Sequence, residues 1–363
     1  MRVLCITSHG NTLNSIRPEA EAMIGLRRAG VELDVMTQGD SAYAERFREE
    51  GIGLIDFVPR RKISLSAIRF IRRTLVEGRY DIVHLYNNKA IANGLLAAIG
   101  LPVKALTYRG QTGNLHRYDP FGYLTHLSPR VDGITCVARA VQRDLQALRP
   151  RHPHIVTVYK GHDLAWYSET PADLGALGVR PGSVSIICVA NNRPRKGVPV
   201  LVEAFARLPA DVEADLLLVG KNMDTPELQQ EIAAHPRKDR IHVVGFRTDA
   251  PRLTAGSDIA VLPAIKREGL PKTVIEAMAY GVPVVVSDTG GNAELVEDGV
   301  SGRVVPPGDA DALAAALAGL ARDPAQRRAM GEAARVRIGR EFTVQATVEA
   351  TLKLYREVLG EDR

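Results

Sequence analysis

At 363 residues the chain has room for two domains of ordinary size, each with its own core. It is 45% hydrophobic and 25% charged with no low-complexity tract, the composition of a soluble globular protein. The net charge of +5 divides unevenly: residues 1–163 hold 23 Lys/Arg against 15 Asp/Glu, residues 164–363 hold 24 against 27. An excess of positive charge confined to the first part points to an anionic partner there. No nucleic-acid recognition motif is present and aromatics are few, so a phospholipid surface or an acidic acceptor fits better than nucleic acid. Cys5, Cys136 and Cys188 lie in separate apolar runs without metal-ligand spacing, and read as reduced core residues. Residues 1–7 are too short for a signal-peptide core, and no run approaches the ~20 apolar residues of a membrane span. The expectation is a cytoplasmic protein, at most peripheral on the inner face of the membrane.

In chain order, short apolar runs alternate with helix-period segments, the pattern of parallel sheets with crossover helices. Strands are expected at 2–7, 31–37, 81–86, 103–108, 134–137 and 155–159, with a helix over 17–29. The polar, Gly/Pro-marked stretch after Asp163, 165–181, reads as a linker. The pattern then restarts, with strands at 185–190, 215–220, 241–245, 258–263 and 282–287. Beyond Gly308 the chain is helical: 310–320, 324–339 and 343–359. Ligands of such sheets sit at strand C-terminal ends, here at an inter-domain cleft.

The stretch 263–291, PAIKREGLPKTVIEAMAYGVPVVVSDTGG, concentrates the chemistry. Pro271 suits a first helical turn, where its missing N–H would be unpaired anyway. The loop EGLPK therefore brings backbone N–H groups to a helix N-terminus, a ready anion site with phosphate the usual occupant. Glu268 in the loop and Glu276 in the helix can face one crevice. Each carboxylate accepts hydrogen bonds on both oxygens, which matches the paired hydroxyls of a ribose or hexose.

Glu268-x7-Glu276, embedded in EGLPKTVIEAMAYGVPVV and followed by SDTGGNAELVEDGVSGRVVPPGD, resembles the retaining family 4 glycosyltransferases (glycosyl transferases group 1). The likeness runs over about the whole C-terminal half and more weakly over the N-terminal half. It implies the GT-B fold: two facing Rossmann-like α/β/α domains with an inter-domain cleft. Residues 1–164, joined by a final helix at about 345–363, would form the acceptor domain, and 182–344 the donor domain. Glu276 would hold the nucleotide ribose and Glu268 the donor hexose. The loop Gly269, Leu270, Pro271, Lys272 and Thr273 would line the diphosphate, and backbone near Val244 and Phe246 the base.

The resemblance also implies roles for residues elsewhere. In RPRKG, Arg193 and Lys196 would hold the diphosphate and stabilise the departing nucleotide. Many members carry the arginine two residues earlier, where this chain has Asn191. Gly10 and Asn11, in the loop SHGNTLNS that replaces a glycine-rich loop, would approach the donor phosphate or the acceptor; an ordinary strand–helix turn is the alternative. Where many members show His-Gly after a strand, this chain has Arg109, which cannot act as a base near neutral pH. Arg109 would contact the sugar or clamp a phosphate or carboxylate, and His116 could substitute for the missing histidine.

Arg60, Arg61 and Lys62 open the basic segment 59–80 and are expected to touch anionic lipid or the acceptor. The helical stripe Ile68, Ile71 and Leu75 reads as a crossover helix lying on the sheet rather than on a membrane. Asp309-Ala310-Asp311 spells the metal-binding triplet of the other large glycosyltransferase fold, but it follows PPG and opens an Ala-rich helix, so Asp309 reads as an N-cap. No metal site and no cofactor are expected. Gly51-Ile52-Gly53 lacks the third glycine of the dinucleotide fingerprint, and no Walker loop exists.

The sequence thus leads to a retaining, metal-independent hexosyltransferase. It would move a hexose from a nucleoside-diphosphate sugar to a glycan or glycolipid in bacterial cell-surface polysaccharide or lipopolysaccharide synthesis. A sugar-nucleotide epimerase on the same scaffold, or a catalytically silent nucleotide-sugar-binding subunit, remain the alternatives.

Overall fold

The short apolar runs become parallel strands whose central members are covered on both faces by crossover helices, so most residues of the inner strands are buried, while the edge strands are partly exposed. The computed structural model describes residues 1–10, 13–149, 152 and 154–361. Two units emerge: Met1–His162 together with the segment from Phe342 onward, and Asp163–Glu341.

In the first unit, β1 (Arg2–Ile6), β2 (Glu32–Thr37), β3 (Gly53–Asp56), β4 (Ile82–Leu85), β5 (Lys104–Arg109), β6 (Gly133–Cys136) and β7 (Ile155–Thr157) form one parallel sheet. Its order is β3-β2-β1-β4-β5-β6-β7, with Val3 opposite both Leu33 and Ile82. The second unit holds β8 (Val184–Val189), β9 (Ala214–Val219), β10 (Ile241–Gly245), β11 (Ile259–Leu262), β12 (Val284–Ser287) and β13 (Gly302–Val305) in the order β10-β9-β8-β11-β12-β13. Strand order reverses between β1 and β4 in one sheet and between β8 and β11 in the other. The crevice beyond the carboxyl ends at such a reversal is where open α/β sheets take ligands.

Two strands, β3 and β13, were not anticipated, and the first helix, Leu13–Arg28, starts a turn before the expected 17. The basic helix Leu65–Gly78 buries Ala67, Ile71 and Leu75, as a crossover helix must. The stretch 165–181 is not a free linker. Ala172 N donates to the Arg252 carbonyl at 2.9 Å, Arg252 Nε donates to the Thr170 carbonyl at 3.0 Å, and the Tyr167 and Tyr280 rings meet edge to face. These contacts bind it to the second unit.

The last helix, Val344–Leu359, belongs to the first unit's core, where Val348, Leu354, Tyr355 and Val358 pack among Met23, Ile24, Val3 and Leu106. Its entry is fixed by His162 N donating to the Phe342 carbonyl at 2.7 Å and Thr347 Oγ1 to the Tyr159 carbonyl at 2.8 Å. A Cβ on Gly161 would lie 2.3 Å from the Thr343 carbonyl oxygen, so only glycine permits this crossing. The three cysteines are fully buried and unpaired, and burial pushes each thiol up to about 12. Among the described residues, no helix is long and apolar enough to cross a membrane.

Candidate active site

At the strand-order reversal of the second sheet, two loops meet. The one after β8 runs Asn191–Gly197 and tightens into a 3-10 turn at Pro194–Lys196. The one after β11 is the EGLPK loop, leading into the helix Lys272–Ala279 with Pro271 as its N-cap residue. Backbone contacts join them: Ile265 N donates to the Arg195 carbonyl at 2.9 Å. Gly197 has φ +69°, and a Cβ there would lie 2.0 Å from the Pro263 carbonyl oxygen.

Side chains complete the junction. Glu268 is only 4% exposed, and Lys196 Nζ donates to its Oε1 at 2.8 Å. Arg195 Nη1 reaches the same oxygen at 3.4 Å and the Arg267 carbonyl at 2.8 Å. Glu276, 8% exposed, accepts from Lys272 Nζ at 2.6 Å, one helical turn back. Two buried carboxylates are therefore each neutralised by a lysine. The first N–H groups of the Lys272–Ala279 helix have no partner within the helix, and its dipole favours negative charge at that end.

Beside the junction lies a cavity of about 320 Å³, lined by Ala190, Asn191, Lys196, Gly220, Phe246 and Lys272 among others. Phe246 is 60% exposed there, with Lys221 Nζ 4.9 Å from its ring centre. Val244 lies half-buried in β10, just before the loop carrying Phe246. Cations, amide donors, paired carboxylates and an open aromatic face together suit a phosphorylated, hydroxylated ligand with a flat ring.

Comparison with known proteins agrees. Residues 20–166 match the model of Glycosyltransferase Family 4, and residues 171–337 that of Glycosyl transferases group 1, so the two span most of the sequence. The chain belongs to the family 4 glycosyltransferases. Among curated relatives, N-acetyl-alpha-D-glucosaminyl L-malate synthase of Bacillus anthracis is 29% identical over 64% of this chain; the match spans just 61% of that relative's length. The lipopolysaccharide core biosynthesis mannosyltransferase of Rhizobium leguminosarum bv. viciae is 28% identical over 86% of this chain and 88% of its own. Anabaena HepE in complex with UDP superposes with a TM-score of 0.81 over 98% of this chain and all of its own, at 21% identity, and the fold is GT-B.

Within this glycosyltransferase, the residues expected at the site do not all come together. Lys196, Glu268 and Glu276 with the 269–273 loop form one cluster. Arg193 does not join it: its side chain is exposed at the cap of the 3-10 turn, and Arg195 takes the inward position. The sequence signal was present in RPRK, which offers two arginines one residue apart. Asn191 is committed elsewhere, its Oδ1 accepting from Lys221 N at 3.1 Å. Asp309 caps the helix Ala310–Arg322 by accepting from Ala312 N at 2.9 Å.

In the first unit, Arg109 ends β5 almost buried, its guanidinium donating to the Gly113 carbonyl; burial lowers its pKa, opposed by the nearby Asp144 carboxylate. Asp144 also accepts from Gly113 N at 3.0 Å, so Arg109 braces the 110–114 loop. His116 is exposed, two residues beyond Asn114, which takes a left-handed φ of +55°. Gly10 follows β1, its carbonyl accepting from Ala42 N at 3.2 Å; Asn11 lies outside the described residues.

Arg60 and Arg61 line a hollow of about 640 Å³ with Asp40, Asp56, Ser64 and Ser66. Buried Asn93 pins this loop, donating to the Arg61 and Lys62 carbonyls and accepting from Ser64 N. Lys62 Nζ sits 4.4 Å from the Phe121 ring centre, in a neighbourhood where Ile63, Leu65, Tyr118 and Tyr123 are also exposed. That aromatic segment, 118–123, was not singled out in the sequence, because its residues follow no helical or strand period.

Proposed function

We propose that the chain transfers a hexose, with retention of configuration and without a metal, from a nucleoside-diphosphate sugar to a glycolipid or glycan acceptor of the cell surface. The observation that carries this reading is the pair of buried carboxylates, Glu268 and Glu276, each held by a lysine beside the amides of one helix N-terminus. Glu276 would hold the ribose hydroxyls and Glu268 the hexose hydroxyls. Lys196 and the 269–273 loop would take the diphosphate, stabilising it as it departs. The base would lie against Phe246 in the 320 Å³ cavity. The leaving phosphate would take the acceptor's proton, so no protein base is required and neither Arg109 nor His116 is asked to be one.

Support for the donor comes from the UDP complex of HepE, and for a glycolipid acceptor from the lipopolysaccharide core relative. The acceptor would meet the basic first unit, where Arg60, Arg61 and Lys62 stand beside exposed Ile63, Leu65 and Phe121. This is a mixture suited to an anionic membrane surface at which the protein docks peripherally.

The test is a thermal-shift panel of UDP, GDP and ADP with their sugar conjugates, with and without Mg²⁺, followed by turnover of Glu276→Ala. A ligand at about 100 times its Kd stabilises by roughly 2.7 kcal/mol. One nucleotide series should raise the melting midpoint by several degrees whether or not Mg²⁺ is present. Glu276→Ala should melt within a few degrees of wild type yet lose transfer by roughly two orders of magnitude or more, since two hydroxyl contacts go with it. Near-normal turnover would sink the ribose assignment. A shift by no nucleotide would sink the donor site.

A further inference from the structure

The hollow of about 640 Å³ in the first unit lies beyond the carboxyl ends of β2 and β3, where open α/β sheets take ligands. Its volume is that of a small-molecule site. Arg60 and Arg61 line it from the loop after β3, and among the described residues neither guanidinium has a hydrogen-bond or ion-pair partner. Asp40 and Asp56 line the same hollow without pairing to either arginine. Asp56 Oδ1 accepts from Gly39 N at 2.8 Å, which leaves its second oxygen, and both oxygens of Asp40, to accept from a ligand. The loop is fixed before any ligand arrives. Fully buried Asn93 donates to the Arg61 and Lys62 carbonyls at 3.0 and 3.1 Å and accepts from Ser64 N at 2.8 Å. At the loop's other end Phe57 N donates to the Thr37 carbonyl at 3.0 Å, and the Phe57 and Phe70 ring centres lie 4.4 Å apart.

We propose that this hollow binds a hydroxylated ring carrying a single phosphate or carboxylate group, the anionic headgroup of the acceptor. The role of that ligand as acceptor rests on the transfer reading above. A guanidinium presents a planar fork of donors that matches phosphate and carboxylate oxygens two at a time, so Arg60 and Arg61 take the anionic group. Ring hydroxyls donate to the Asp40 and Asp56 carboxylates. The Ser64 and Ser66 hydroxyls, 2.9 Å apart on the same wall, serve as donor or acceptor. The mixture of charges sets the class of ligand. A second anionic group would meet two carboxylates and be repelled, a bare anion would leave them without hydroxyls, and a neutral sugar would leave both guanidiniums unpaired. Lys62 stands apart from the hollow, over the Phe121 ring, so this site is separate from the exposed aromatic segment.

The experiment is calorimetric titration of the chain with glucose 1-phosphate, glucuronate, glucose 1,6-bisphosphate, glucose and inorganic phosphate. Wild type is expected to bind glucose 1-phosphate or glucuronate about tenfold or more tighter than glucose or inorganic phosphate, and the bisphosphate no tighter than the monophosphate. Arg60→Ala/Arg61→Ala should weaken the preferred ligand by about tenfold or more, and Arg60→Lys/Arg61→Lys, which keeps the charge without the fork, should fall between. Asp40→Asn should raise affinity for the bisphosphate above that for the monophosphate. These three positions are exposed, so the variants should fold. Lys196→Ala, in the second unit, should bind the preferred ligand as wild type does. A loss below threefold in the double alanine variant, or an equal loss in Lys196→Ala, overturns the proposal, as does wild type binding none of the five compounds. Sedimentation with vesicles separates the two sources of such a headgroup. Preference for phosphatidylglucoside over phosphatidylglycerol, lost in the double alanine variant, supports the site and assigns it to a lipid. Equal sedimentation alongside tight binding of the soluble ester supports it and assigns it to a free sugar acid or ester. Failure of the transfer reading shows separately, as a wild type that binds no nucleotide yet still binds the hexose phosphate through Arg60 and Arg61.

Discussion

Glu19 and Lys160 show what a charged pair does inside the first unit. Lys160 Nζ donates to Glu19 Oε1 at 2.8 Å, and His9 Nε2 lies 3.4 Å from the other carboxylate oxygen. Burial works to raise the Glu19 pKa, but Lys160 and His9 more than offset it and hold the group down at about 2. A depressed carboxylate pKa contributes stability that is present above the unfolded value near 4.5 and is lost as pH falls toward 2. Acid titration followed by circular dichroism should therefore show wild-type stability falling across that window. Glu19→Gln should flatten the dependence there and cost about 2–3 kcal/mol at pH 7, since it strands the Lys160 ammonium with only a fifth of its side chain exposed. Adding Lys160→Met should recover part of that loss; a double variant no better than the single would mean the pair is not coupled. Sequence reading did not find this pair, because its members stand 141 positions apart and each looks like an ordinary surface charge. The same blindness applies to the turn 193–197: Arg193 is exposed and Arg195 partly buried there, and no pattern of residue types tells the two apart.

Most strands were legible as apolar runs because parallel strands covered on both faces must be apolar throughout. The two that escaped notice are edge strands. β3, GLID, is half-exposed with a charged last residue, and β13, GRVV, carries an arginine. An edge strand buries less, so its sequence carries less of the signal. Loop geometry was legible only where glycine marks it. Gly197 holds φ +69° against the Pro263 carbonyl, and it fixes the direction in which Arg195 and Lys196 leave the turn. Gly197→Ala must adopt a left-handed backbone and also push that carbonyl away, at a cost of about 2–4 kcal/mol. Its melting midpoint should fall by roughly 4–16 °C, a range set by 2–4 °C per kcal/mol in a domain of this size. Nucleotide affinity should fall with it, because the turn that carries Lys196 has moved. A variant that melts lower but binds nucleotide as wild type does would show that the turn is a structural hinge only.

At the scale of the whole chain, charge and exposed surface converge on the first unit. The excess of basic residues falls in 1–163, and there Arg60, Arg61 and Lys62 adjoin Ile63, Leu65, Tyr118 and Phe121, each at least 45% exposed. Either feature alone is ordinary, since basic loops are solvated and single apolar side chains often face water. Together they match an anionic lipid interface, where apolar tips enter the acyl boundary and cations meet headgroups at about 1 kcal/mol each. Three such cations amount to roughly 3 kcal/mol, so sedimentation with vesicles holding anionic lipid should exceed that with neutral vesicles by well over tenfold at low salt. Raising ionic strength from about 0.1 to 1 M shortens the screening length from about 10 to 3 Å and should remove most of the difference. Replacing Arg60, Arg61 and Lys62 by alanine should do the same at low salt, and Phe121→Ala should weaken what remains in high salt. The cause of binding can thus be divided between its two parts. Equal binding to neutral and anionic vesicles would place the interaction in the aromatic side chains alone, and no binding to either would leave the hollow beside Arg60 and Arg61 to a water-soluble acceptor.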